Sequence, residues 1–141
     1  MAPDKEAIIE NKRVHQVYIL QDTEGVRGIE MSAEGHYLDA IEAEENGQLE
    51  DALEHARKTV EVDPSHSNAW WMIAQLLAPD GKYPDIEQAS KALVACNKVV
   101  DLDPSRVDAW VKGGRLMVDH LGLNEDALHW WQKCRDVAPF E

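Results

Sequence analysis

From residue 33 onward the apolar residues recur with helical spacing. Trp70, Ile73, Ala74 and Leu77 form one i, i+3, i+4, i+7 stripe, and Trp110, Gly113, Gly114 and Met117 form a second. That pattern belongs to a helix with one buried side. After each stripe comes a helix in which an alanine precedes another small or apolar residue by four positions and a proline by twelve. The sets are Ala92, Cys96 and Pro104, then Ala127, Trp131 and Pro139, with Ala52, Ala56 and Pro64 earlier in the chain. A spacing of four places the first two residues on one helix face, and a small alanine there lets a second helix approach closely. Proline then ends the helix, because its ring clashes with the preceding turn.

The same helix ending occurs three times, VEVDP at 60–64, VDLDP at 100–104 and RDVAP at 135–139, and two of these lead into similar restarts, SHSNAWW from Ser65 and SRVDAW from Ser105. Breaks at Gly47, Asp80-Gly81 and Gly122 divide each unit in two. The spacing therefore predicts six antiparallel helices in three pairs, at 33–64, 67–104 and 107–139, with no strand among them. The second unit holds about six extra residues between its helices, at 78–84, where Pro84 suits a helix first turn. The third holds one extra residue before Gly122, with Asn124 placed to cap the helix that Glu125 and Asp126 begin.

Trp-x-x-Ile-Ala-x-x-Leu from Trp70, Ala-x-x-x-Cys from Ala92, and then Pro104 resemble the tetratricopeptide repeat, a pair of helices about 34 residues long. The resemblance covers roughly 33–139 and implies an all-α, right-handed helical-repeat solenoid with a concave groove lined by the first helix of each unit. Its wall would include Trp71, Met72 and Gln75, then Val111, Lys112 and Arg115, with Asp108 at the edge. Relatives that grip a chaperone's carboxylate tail use a set of Lys, Asn and Arg side chains that this chain does not reproduce: Met72 stands where an Asn would be and Asp108 where a Lys would be. Lys112 alone matches a basic clamp position, with Arg115 one turn away. The groove so implied takes an acidic or amphipathic peptide, its charges on Lys112 and Arg115 and its apolar side chains on Trp71 and Met72.

The first unit fits less well. With Gly47 as its turn, His36 occupies the tryptophan slot and Asp39 an apolar slot, while Tyr37, Leu38 and Ile41 face away from the core stripe. Either the register slips there or another element covers that face. The expected cover is the apolar segment 14–20 of the N-terminal extension 1–32, and Tyr37 and Ile41 are counted with the partner-binding surface.

Three tryptophans, Trp70, Trp110 and Trp131, fall in packing positions. Trp71 follows one of them by a single residue, a rotation of about 100° that aims it away from the core. Trp70 is therefore expected to be nearly buried and Trp71 largely exposed. By the same step Trp130 points outward from the terminal helix, which predicts either a homodimer through it or a cover by the tail Pro139-Phe140-Glu141.

At 141 residues the length suggests one domain. No apolar run comes near the roughly 20 residues that span a bilayer, and the N-terminal Met-Ala-Pro-Asp-Lys-Glu has no signal pattern, so the expectation is a cytoplasmic chain without membrane contact. Its net charge of −13 opposes nucleic-acid binding. The acidity is concentrated in the first repeat, where residues 33–64 hold ten acidic side chains against two basic ones. Cys96 and Cys134 lack disulfide or zinc spacing, and the six histidines form no paired-ligand motif. No phosphate loop or nucleophile elbow is present. The expectation is thus a non-enzymatic protein–protein interaction module with no catalytic residue, metal or cofactor, acting as an adaptor, co-chaperone or assembly factor. The alternative is a structural protein that self-associates through its terminal helix.

Overall fold

The computed structural model describes residues 32–137. Six α-helices follow in order: α1 (Ala33–Glu45), α2 (Leu49–Val62), α3 (Ser67–Leu77), α4 (Ile86–Leu102), α5 (Val107–Arg115) and α6 (Asn124–Val137), with one π-helical turn, Leu116–His120, continuing α5. Among the described residues there is no strand, and the fold is an all-α helical repeat of three helix pairs. No described helix is long and apolar enough to cross a membrane. The segment 14–20, the stop at Pro139 and the tail that follows it lie outside the described residues. The described residues fall into two compact units, one ending at Ala69 and the other beginning at Trp70.

In the first unit Ser32 caps α1, its hydroxyl accepting the Gly35 N–H at 3.1 Å. The turn into α2 bends at Gly47, whose φ of 76° only glycine adopts without strain. There the Gln48 N–H reaches back to the Ala43 carbonyl and the Gly47 N–H to that of Glu44, which closes the last turn of α1 as a Schellman motif. Ala40, Ala52 and Ala56 are all fully buried, and Leu38, expected to face away from the core stripe, is buried as well. Tyr37 is half-buried, with its ring 4.5 Å from that of His66. His66 Nδ1 accepts the Ala69 N–H at 3.1 Å, so its other nitrogen carries the proton and faces Glu34 at 3.5 Å.

His36, in the tryptophan slot, and His55 each keep a buried Nδ1 without a hydrogen-bond partner. Desolvation holds the His36 imidazole below its ordinary range, aided by Lys58 and His55 and opposed by Asp39 and Glu61. A folded pKa below the unfolded value of about 6.5 means that the unfolded chain takes up the proton first as pH falls. Stability from neutral His36 is therefore complete above about pH 6.5 and declines as pH drops from there toward the lower folded value. Thermal unfolding followed from pH 7.5 to 5 should show this loss, and His36→Phe should flatten the curve over that range. An unchanged slope in His36→Phe would assign the acid sensitivity to other groups.

In the second unit Asp85 begins α4 with a capping box. Its carboxylate accepts the Gln88 N–H at 2.7 Å, and the Gln88 side chain accepts the Asp85 N–H at 3.3 Å. The Asp-Pro-Ser ending folds back on itself: Asp103 accepts both the hydroxyl and the backbone N–H of Ser105, which holds its carboxyl below the usual range. Asp63 accepts the Ser65 N–H in the same way at the end of α2. The core joins Ala92, Cys96, Val99 and Val100 of α4 to Trp110 of α5 and to Ala127, Trp130 and Cys134 of α6. Burial pushes the Cys96 thiol up to about 12 and raises that of Cys134, so both are packing residues with little thiolate character.

The two adjacent tryptophans of α6 reverse the expected arrangement. Trp130 is 6% exposed and Trp131 is 40% exposed. The Trp130 Nε1 donates to the Trp110 carbonyl at 2.8 Å, and the two rings lie 4.7 Å apart. Space for this comes from the glycines of the α5 stripe, since a Cβ on Gly113 would overlap the Trp130 ring and one on Gly114 the Trp131 ring. The homodimer expected through Trp130 thus loses its anchor, because that side chain is inside its own unit. The extra residue of this repeat is absorbed as the π turn, where the Leu121 N–H bonds to the Leu116 carbonyl five residues back.

Candidate functional site

A pocket of about 540 Å³ opens in the second unit between α3, the inserted loop at 78–84, α5 and the π turn. Trp71 and Gln75 contribute from α3, Asp108, Val111 and Arg115 from α5, and Asp119 and His120 from the π turn. The inserted loop forms a wall of this pocket because three contacts hold it. Lys112 Nζ donates to the Ala78 carbonyl and pairs with Asp80 at 3.1 Å. Tyr83, itself exposed, packs edge-on against His120 with centroids 5.5 Å apart. Next to the pocket residues Trp71 and Asp108, the Arg106 guanidinium lies 5.5 Å from the Trp71 ring and pairs with Asp108 at 3.3 Å.

Five of the eight side chains expected on a binding surface line this pocket: Trp71, Gln75, Val111, Lys112 and Arg115. Met72 does not. It is buried on the face it shares with Ala69, three residues before it. Tyr37 and Ile41 are half-buried in the first unit and do not line the pocket. The expected contrast between Trp70 and Trp71 is also absent, because both are half-buried. Trp70 lies 6.0 Å from the Lys98 ammonium, while Trp71 lies beside Arg106. One helical residue of rotation does not separate buried from exposed when a long cationic side chain covers the outward ring, so the groove finds no support in that contrast. Lys112 is likewise no free clamp, since its ammonium is engaged by the loop.

Asp80, Lys82, Asp119 and His120 were not anticipated as pocket residues. Their signal was the length of the second unit and the extra residue before Gly122, each of which reads as a harmless insertion until the two are seen to meet.

Among solved structures, two crystal structures of MamA superpose on the chain with a TM-score of 0.60 at 16% sequence identity. They cover 74% of this chain and 57% and 54% of their own chains. YrrB, described as a TPR protein with an unusual peptide-binding site, superposes with a TM-score of 0.58 at 19% identity over 94% of this chain and 63% of its own. The chain has a tetratricopeptide-like fold. At these identities the likeness extends to the fold alone, and the chain spans less than two thirds of the length of each of these structures. No protein-family model and no curated protein matches the chain by sequence. Two of the departures of this chain from the tetratricopeptide pattern, the 78–84 loop and the π turn, border the pocket.

Proposed function

We propose that the chain is a protein–protein interaction module that binds a peptide segment of its partner in the pocket between α3 and α5. The observation that carries this reading is the pocket itself. It combines an aromatic ring, Trp71, and an aliphatic side chain, Val111, with polar and charged groups, Gln75 and Arg115, on rigid helices. Few apolar anchors with convergent polar groups are the usual makeup of a recognition site. The peptide-binding site described for YrrB, a protein of similar fold, supports the reading. An adaptor, co-chaperone or assembly role in the cytoplasm is consistent with it.

A peptide array probed with the wild-type protein and with Trp71→Ala and Val111→Glu tests the reading. Peptides bound by the wild type should lose tenfold or more in affinity with either variant, while the helical circular-dichroism signal is kept. Equal binding by all three proteins would place the interaction elsewhere.

A further inference from the structure

The Lys112–Asp80 pair is lopsided. The Lys112 side chain is 10% exposed, whereas that of Asp80 is 94% exposed. A sheltered ammonium needs a counter-charge, because water reaches it poorly. A carboxylate at the tip of a solvated loop gains little from the pairing and loses little on leaving it. The bond from Lys112 to the Ala78 carbonyl lies at the base of the loop, so the ammonium keeps one partner when the loop tip moves.

The remaining charges of the pocket favour an anion as the replacement. Asp108 is paired with Arg106 and Asp80 with Lys112. Among the described residues that leaves Lys82 and Arg115, for which no ion pair is present, against Asp119 as the one carboxylate in the lining without one. Trp71 and Val111 border the same space. A ligand carboxylate held there would pair with the same ammonium while the apolar side chains beside it bury against Trp71 and Val111, a gain that Asp80 does not have.

Resting on the peptide-binding reading above, we propose that Asp80 is an intramolecular stand-in for an acidic peptide side chain, holding the 78–84 loop against Lys112 until a ligand carboxylate takes its place. The ligand class is then an amphipathic peptide with a Glu or Asp side chain flanked by apolar ones. The loop is a competitor for the site, and the apparent affinity is reduced by the fraction of molecules in which it is closed.

The test uses two fluorescein-labelled, C-terminally amidated hexapeptides, one alternating Leu and Glu and the other alternating Leu and Gln, with binding followed by anisotropy on the whole chain. The Glu peptide should bind the wild type more tightly than the Gln peptide. Asp80→Asn should raise its affinity about two- to fivefold, the range expected for loss of a weak competing pair. Lys112→Met, which keeps the buried stem, should lower it tenfold or more. The Gln peptide should be indifferent to both changes. Hydrogen exchange of the loop amides should quicken in Asp80→Asn and in the wild type on addition of the Glu peptide.

If Asp80→Asn leaves the Glu peptide's affinity unchanged or weakens it, Asp80 is an anchor of the pocket wall and the competitor model is wrong. If array peptides bind in a Trp71-dependent way but the Glu peptide shows no preference over the Gln peptide, the groove reading stands and the acidic ligand class falls. If nothing binds in a Trp71-dependent way, both fall.

Discussion

Trp110→Ala is expected to remove about 3–5 kcal/mol from the stability of the second unit, the cost of truncating a large buried aromatic residue. The side chain is fully buried, packs at a tilt against the Trp130 ring and donates from Nε1 to the Pro104 carbonyl at 2.9 Å. Its loss leaves a cavity, an orphaned carbonyl acceptor and a Trp130 ring without its neighbour. Against a typical total of about 5–15 kcal/mol this is a large share. Trp70→Ala is the internal control. It occupies the same slot one repeat earlier but is half-exposed beside Lys98, so it should cost about 1–2 kcal/mol, in keeping with partial burial. Urea denaturation of the two variants, read by circular dichroism, checks the difference. Equal losses would mean that the tryptophan pair is not the centre of the third repeat.

The helices were legible because the signals that set them are local. Gly47 and Gly122 both adopt positive φ where the spacing put breaks, and the Asp-Pro-Ser endings at Pro64 and Pro104 close the second helix of each of the first two repeats with the same side-chain turn. Orientation within a helix was less legible. Trp130 and Trp131 differ by about 100° of rotation, and the repeat pattern, which has its apolar residue at Trp131, points to the wrong one of the two as buried. Which of the two is buried depends on Gly113 and Gly114, in the preceding helix, which open space against both rings. A glycine in a stripe reads as a small residue, and nothing in one sequence says what fills the space above it.

The pocket was half legible for a related reason. The residues on α3 and α5 come from the groove that the tetratricopeptide resemblance implies, and of these Trp71, Gln75, Val111, Lys112 and Arg115 line the pocket. The loop that walls them in follows from a tertiary contact, the Lys112 ammonium reaching back 34 residues to the Ala78 carbonyl. A lysine in a helix pattern reads as solvated, since burying one requires partners whose position the pattern does not encode.

The glycines of α5 give the other large effect. In an exposed helix interior, Gly→Ala stabilises by roughly 1 kcal/mol, because alanine restricts the unfolded chain and favours the helix. At Gly113 the sign should reverse. The new methyl would overlap the Trp130 ring, which is held by its bond to the Trp110 carbonyl and by burial. Overpacking of that kind costs up to about 3 kcal/mol, so after the helix-propensity gain the net loss should be up to about 2 kcal/mol, and Gly113→Val should lose more. Gly114→Ala meets the Trp131 ring in the same way. That ring is 40% exposed and, unlike Trp130, borders solvent into which it can shift, so the helix-propensity gain should nearly offset the cost. Trp130→Phe supplies the decisive arm, because its smaller ring makes room for the methyl. Adding Gly113→Ala to Trp130→Phe should then cost less than adding it to the wild type by about 1 kcal/mol, the coupling expected of residues in contact. If the two losses are equal, the ring is not what excludes a side chain at position 113.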